Sequence, residues 1–200
     1  MNYLAHLYFS DPRPQAWAGS LMGDFFKGSN FSGLPADLVR HLRLHRRIDS
    51  FTCDSRYFQR SRKRFDPRFR FARSILVDVF YDHYLACHWD DYSSQPLAEF
   101  SRSVYAGLQD CQQLLSPGLQ RQLPQMIAND WLSSYRQPQV VRRVLLSLEE
   151  RLGHKFPLTT SYRQWEPLRE EMAVDFRAFM VETQRFVSDW KRCHQGPVGE

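Results

Sequence analysis

The sequence predicts an all-α fold. Apolar residues recur at helical spacing in segment after segment, no run alternates apolar and polar residues between hairpin signals, and prolines and glycines fall between the periodic stretches. Two hundred residues with 42% hydrophobic content suffice to bury one core, so the chain reads as a single helical domain over 1–200. The residues that could carry chemistry fall in 1–90, and 96–195 read as the helices that complete the bundle.

A first short helix over Asn2–Phe9 is stopped by Ser10, Asp11 and Pro12. A second, over Gln15–Phe26, sets Trp17, Leu21, Met22 and Phe25 toward a core. It holds Asp24 in its last turn, where the negative end of the helix dipole calls for a compensating cation. After a loop over 28–33, Pro35 opens a third helix reaching Phe51, with Leu38, Leu42, Ile48 and Phe51 as its apolar stripe and His41, His45 and Asp49 at i, i+4 and i+8 beside it. Ser55–Phe65 reads as a basic helix, Asp66-Pro67 as a break, and Phe69–Trp89 as a long helix. Beyond a loop over 90–96, helices are predicted over Leu97–Leu115, over Gly118–Tyr135 with a kink at Pro124, over Gln139–Leu152 closed by Gly153, and over Pro167–His194. The last six residues should fray.

The formal net charge is +5, but its distribution matters more. Residues 40–73 hold twelve Arg and Lys against Asp49, Asp54 and Asp66, a local excess of +9, while the remainder is slightly acidic. Such a patch attracts an acidic partner, whether protein, nucleic acid or phosphorylated ligand. Cys53, Cys87, Cys111 and Cys193 form no CxxC pair and no secretory signal precedes them, so they read as reduced thiols in a cytoplasmic protein. No apolar run is long enough to span a bilayer, and no membrane association is expected.

The most informative stretch is residues 77–84, because Asp78, Asp82 and His83 lie inside an otherwise apolar and aromatic helix. Asp78 and Asp82 share a face one turn apart, where two carboxylates repel. Among apolar neighbours such groups must be protonated, paired with a cation or bound to a metal. Asp24, His45, Asp49, Asp78, Asp82 and His83 together offer oxygen and imidazole ligands from three helices without a thiolate, a set suited to Mn, Mg, Fe or catalytic Zn. Lys27, Arg46 and Arg47 lie beside them in sequence and could hold phosphate oxygens. Metal-assisted hydrolysis of a phosphate ester is the chemistry that fits. His6, in the first short helix, is either a satisfied core group or an additional ligand.

Four ordered blocks carry a resemblance: residues 2–7 (NYLAHL), 23–28 (GDFFKG), 45–52 (HRRIDSFT) and 78–83 (DVFYDH). Over Met1 to about Trp89 they resemble the signature of the acyl carrier protein phosphodiesterase family, and the rest resembles it in length and helical character only. The resemblance implies a helical HD-type phosphohydrolase using Mn2+, or Mg2+ or another divalent ion, that removes the 4′-phosphopantetheine arm from holo acyl carrier protein. It implies a metal held by Asp24, His45, Asp78 and Asp82, phosphate contacts from Lys27, Arg46 and Arg47, and proton transfer by Asp49 or His83, with Asp24, Asp49 and His83 counted as catalytic. The acidic carrier would meet segment 40–73. One departure stands out, since Cys53 occupies a position where the family often has aspartate, so Cys53 is left out of the expected site. Two other readings compete: a nucleotide or alarmone hydrolase with the same site, and a non-catalytic nucleic-acid-binding protein. The second is disfavoured because a binding module has no use for Asp78 and Asp82 in an apolar helix.

Overall fold

The computed structural model describes residues 2–194, so the predicted fraying of the last six lies outside the described residues. Ten α-helices follow one another: α1 (Tyr3–Tyr8), α2 (Pro14–Met22), α3 (Ala36–Asp54), α4 (Arg56–Arg64), α5 (Ala72–Cys87), α6 (Leu97–Asp110), α7 (Pro117–Ala128), α8 (Trp131–Ser134), α9 (Pro138–Arg151) and α10 (Ser161–Cys193). Short 3₁₀ turns join several of them, and no strand occurs among the described residues.

One hydrophobic core runs through the bundle, drawing on both the first ninety residues and the later helices. The 33-residue α10, about 50 Å long at 1.5 Å per residue, packs along α3, α4 and α5. Its Trp165 stacks on Phe80 of α5 at 4.9 Å, and Phe176 and Phe179 close on Tyr81 at 5.3 Å each. Helices α2 and α3 approach closely because Gly19 has no side chain: a Cβ there would lie 2.1 Å from the Leu38 carbonyl oxygen. Beyond it, Gly23 just after α2 meets His45 in the middle of α3, where the site forms.

Several boundaries differ from those predicted. Helix α2 ends at Met22, so Asp24 sits in the turn beyond it, where Phe25 and Phe26 N–H both bond the Met22 carbonyl. Pro35 is the N-cap of α3 rather than its first residue. The predicted helix over 118–135 is two helices, and the break falls at Asp130 instead of Pro124. Asp130 adopts a left-handed backbone (φ 41°, ψ 60°), and its carboxylate accepts from Ser133 N–H and the Tyr105 hydroxyl. Helix α10 starts six residues before Pro167, since burial of Tyr162 and Trp165 outweighs the hydrogen bond that the proline removes.

The basic segment is partly consumed by internal pairing. Asp175 of α10 is fully buried and takes Arg60, Arg64 Nε at 3.2 Å and the Ser61 hydroxyl at 3.1 Å, all from α4. Arg64 also reaches Glu171 at 2.7 Å. Arg40 pairs with Asp11 at 3.0 Å, within a cluster that also gives Asp11 to Arg13, His41 and Lys191.

Candidate functional site

Helix α1 has six residues, too few to be stable alone, and Asn2 gives it no side-chain cap. The cap comes from α5: the two oxygens of Asp82 accept the Leu4 N–H at 2.8 Å and the Ala5 N–H at 3.2 Å. Burial pushes the Asp82 carboxyl up to about 7, opposed by those two backbone donors. Asp82 therefore anchors α1, and its oxygens are engaged there; the structure assigns it a different partner from the metal expected of it.

Anchored in this way, α1 delivers His6 to His45 of α3, with the two rings stacked at 3.7 Å and 15°. Both face Asp49, one turn further along α3: His6 Nε2 lies 3.1 Å from Oδ1 and His45 Nε2 lies 3.1 Å from Oδ2. Asp24, from the turn after α2, puts Oδ1 3.6 Å from the same His45 Nε2. Gly23 leaves the space, since a Cβ there would fall 2.1 Å from His45 Cδ2. The imidazoles are buried, whereas Asp24 and Asp49 are 46% and 42% exposed, so the cluster opens to solvent on its carboxylate side.

The electrostatics separate the two histidines. Burial, with the charge of His45, lowers His6 to about 4 against the pull of Asp49, so its ring stays neutral. Burial also disfavours charge on His45, but Asp24 and Asp49 override it and raise that ring to about 9. Burial acts to raise both Asp24 and Asp49, and their contacts with His45 and His6 leave both below the usual carboxylate range. Asp78 is raised by burial, with the charges of Asp49 and Asp24 adding to the effect, which puts it within the field of the cluster.

His83, adjacent to Asp82, projects elsewhere: its Nδ1 pairs with the Tyr135 carbonyl at 2.7 Å, its ring packs edge-on to Trp165 at 5.5 Å, and burial lowers its pKa. Lys27 and Arg47 are exposed. Arg46 donates to the Phe26 carbonyl at 2.8 Å and lies over the Phe31 ring, as Arg43 does, so it holds the segment between α2 and α3. The sequence therefore pointed to Asp24, His45 and Asp49, which meet, and left His6 open, although His6 is central to the cluster. The role of Gly23 was missed. Its signal was a glycine directly before an acid in a helix-ending position.

A bundle of helices that brings two buried imidazoles and two carboxylates to one solvent-facing point defines a class, the all-α proteins with a polar centre built from His and Asp. The family model described as acyl carrier protein phosphodiesterase matches residues 1–183, and the chain belongs to that family. The match extends well past Trp89, where the visible sequence blocks end. Among relatives named acyl carrier protein phosphodiesterase, one from Klebsiella pneumoniae is 31% identical over 197 residues, covering 94% of this chain and 98% of its own. One from Enterobacter sp. (strain 638) is 30% identical over 180 residues (90% and 93%), and one from Escherichia coli is 32% identical over 155 residues (76% and 79%). No solved structure matches the chain. The family is one of enzymes, and no described helix is long and apolar enough to cross a membrane.

Proposed function

We propose that the chain removes the 4′-phosphopantetheine arm from holo acyl carrier protein in the cytoplasm, hydrolysing the phosphodiester to the carrier's serine with the help of a divalent ion, Mn2+ or Mg2+. The observation that carries the reading is the convergence of His6 and His45 Nε2 on the two oxygens of Asp49 in a protein of this family. A divalent ion fits that donor set. One ligand atom from each of the three residues lies within 4.8 Å of the others, and the buried Nε2 of His6 has no hydrogen-bond partner. That nitrogen approaches Asp49 outside hydrogen-bond geometry. The residues that would hold the ion are His6, His45, Asp49 and Asp24, and two imidazoles with carboxylates favour a transition-type ion over Ca2+.

When bound, the ion supplies Lewis acidity, lowering the pKa of a water and drawing charge from the phosphoryl oxygens. The chain's own groups complete the task. Lys27 and Arg47, exposed and next to Asp24 and His45 in sequence, would receive non-bridging oxygens, and Arg46 fixes the segment that carries Lys27 and Asp24. Asp78, raised by burial, would hold a proton for the departing serine oxygen. The carrier's acidic surface would meet the cations of segment 40–73 left over from internal pairing, Arg43 and Arg47 among them. Incubation with holo carrier protein and Mn2+, followed by intact mass, tests the reading. The arm should be lost with the metal present and retained in His45→Ala and in excess EDTA; an intact arm with wild-type protein and Mn2+ would refute it.

A further inference from the structure

The most exposed large apolar side chain among the described residues is Phe71, 63% accessible, at the start of α5. Its ring rests edge-on against Phe156 at 4.9 Å, so it stands on a buried aromatic base and is not loose. Arg68, Arg70 and Arg73 flank it in sequence, all without the buried carboxylate partner that Arg60 and Arg64 have. Arg70 has φ 50° and ψ −125°, the dihedrals of the first central position of a II′ turn, which glycine normally fills. An arginine there is strained. The strained turn is tied down by Arg70 N–H to the Pro67 carbonyl at 2.9 Å and by Arg73 Nε to the Arg70 carbonyl at 3.2 Å. Such a turn is a poor choice for stability, and it places a cation beside an exposed aromatic ring.

Position relates this feature to the site. Phe71 has helical dihedrals (φ −66°, ψ −26°), so it keeps the phase of α5, and Phe71, Ile75, Asp78 and Asp82 follow at i, i+4, i+7 and i+11 on one face. Burial grows along that stripe from exposed Phe71, through half-buried Ile75 and Asp78, to buried Asp82. Seven residues of helix separate Phe71 from Asp78, about 10 Å of rise. The phosphorus to be attacked is bonded to a serine on the carrier, so the carrier's surface must lie over the site. An interface of ordinary size, about 800 Å² on each partner, reaches roughly 16 Å from its centre. Measured from Asp78, Phe71 falls inside that radius.

We infer that exposed Phe71, in a segment that also carries Arg68, Arg70 and Arg73, is the apolar anchor on which the acidic carrier protein docks at the rim of the site. The inference rests on the functional reading above. Anchors at protein interfaces are typically aromatic residues or arginines at a desolvated centre, and here an exposed aromatic ring lies within three residues of three arginines in sequence, a charge that matches an acidic partner.

The test compares steady-state removal of the arm from holo carrier by wild type, Phe71→Ala, Arg70→Asn and the control Val181→Ala, an exposed apolar residue of α10. Phe71→Ala should raise the KM for the carrier about tenfold, the effect of losing a moderate anchor, with kcat held. Arg70→Asn keeps a residue tolerant of positive φ, so Tm should hold or rise while KM increases, a combination that a merely structural arginine would not produce. Val181→Ala should leave KM unchanged. Wild-type KM in both Phe71→Ala and Arg70→Asn, in an enzyme that does remove the arm, overturns the anchor alone. Wild type that fails to remove the arm overturns the functional reading instead. Oligonucleotide binding that Phe71→Ala abolishes, with carrier KM unchanged, also overturns the anchor.

Discussion

Gly23→Ala isolates the geometry of the site from the stability of the fold. Gly23 has helical dihedrals (φ −51°, ψ −39°), so its backbone does not require glycine, and alanine would favour the helical turn by up to about 1 kcal/mol. The obstacle is His45: the new methyl would fall 2.1 Å from Cδ2, 2.2 Å from Cγ and 2.5 Å from Nε2. Reaching an ordinary contact of 3.4 Å requires the ring to retreat by about 1.3 Å. Its 3.1 Å contact with Asp49 and 3.6 Å contact with Asp24 cannot both survive that movement. Misplacement on this scale costs on the order of 100-fold in rate, while overpacking costs about 1–3 kcal/mol, part of which the helical preference of alanine offsets. The expected result is a folded protein, with Tm within several degrees of wild type by circular dichroism, that has lost about 100-fold in removal of the arm and at least tenfold in Mn2+ affinity by calorimetry. Wild-type metal affinity and rate in a folded Gly23→Ala protein would refute the argument that this glycine exists to admit His45.

Asp175→Asn should lower stability by about 2 kcal/mol in urea titration; the figure lies below that of a fully buried pair because Arg60 and Arg64 still reach solvent. Asp11 is held below the usual carboxylate range by His41 and Lys191 against the opposing effect of burial. A depressed acid contributes stability above its unfolded value, near 4, and loses it as pH falls further, so Asp11→Asn should flatten the stability curve between about pH 4 and 2 and leave its shape near neutrality unchanged. Saturating Mn2+ should raise Tm, with about 2.7 kcal/mol of stabilisation at 100 times Kd, and the rise should vanish in His45→Ala.

The sequence made the helices readable because many are amphipathic and some are closed by a local signal, as Gly153 at positive φ closes α9. It misplaced the break between α7 and α8 because Pro124 is a stronger local signal than Asp130, whose left-handed backbone is held by Ser133 and Tyr105. The pairing of His45 with Asp49 follows from one helical turn. The arrival of His6 does not, because it depends on Asp82 gripping the start of α1 from 78 residues away. Nor could a local reading show that Arg60 and Arg64 are neutralised by Asp175, more than 100 residues further along. Composition shows that a buried acid needs compensation, but only the fold shows whether a cation, a helix terminus or a metal provides it.

Asp78 and Asp82 illustrate that distinction and explain why two acids can share one apolar helix. If both needed a cation, their repulsion would add to the cost of burial. Asp82 instead meets two N–H groups and the positive end of α1, so its charge is compensated by backbone, and the grip fixes the helix that carries His6. Asp78 lies in the field of Asp24 and Asp49. Burial disfavours a proton on His6, whereas Asp24 and Asp49 favour one on His45 and are themselves held below the usual carboxylate range by that contact. A divalent ion bound to His45 would displace the proton that Asp24 and Asp49 favour there. The partly exposed carboxylate side of the cluster is the route by which the ion could enter, and it is also where a phosphodiester on a carrier surface would have to arrive.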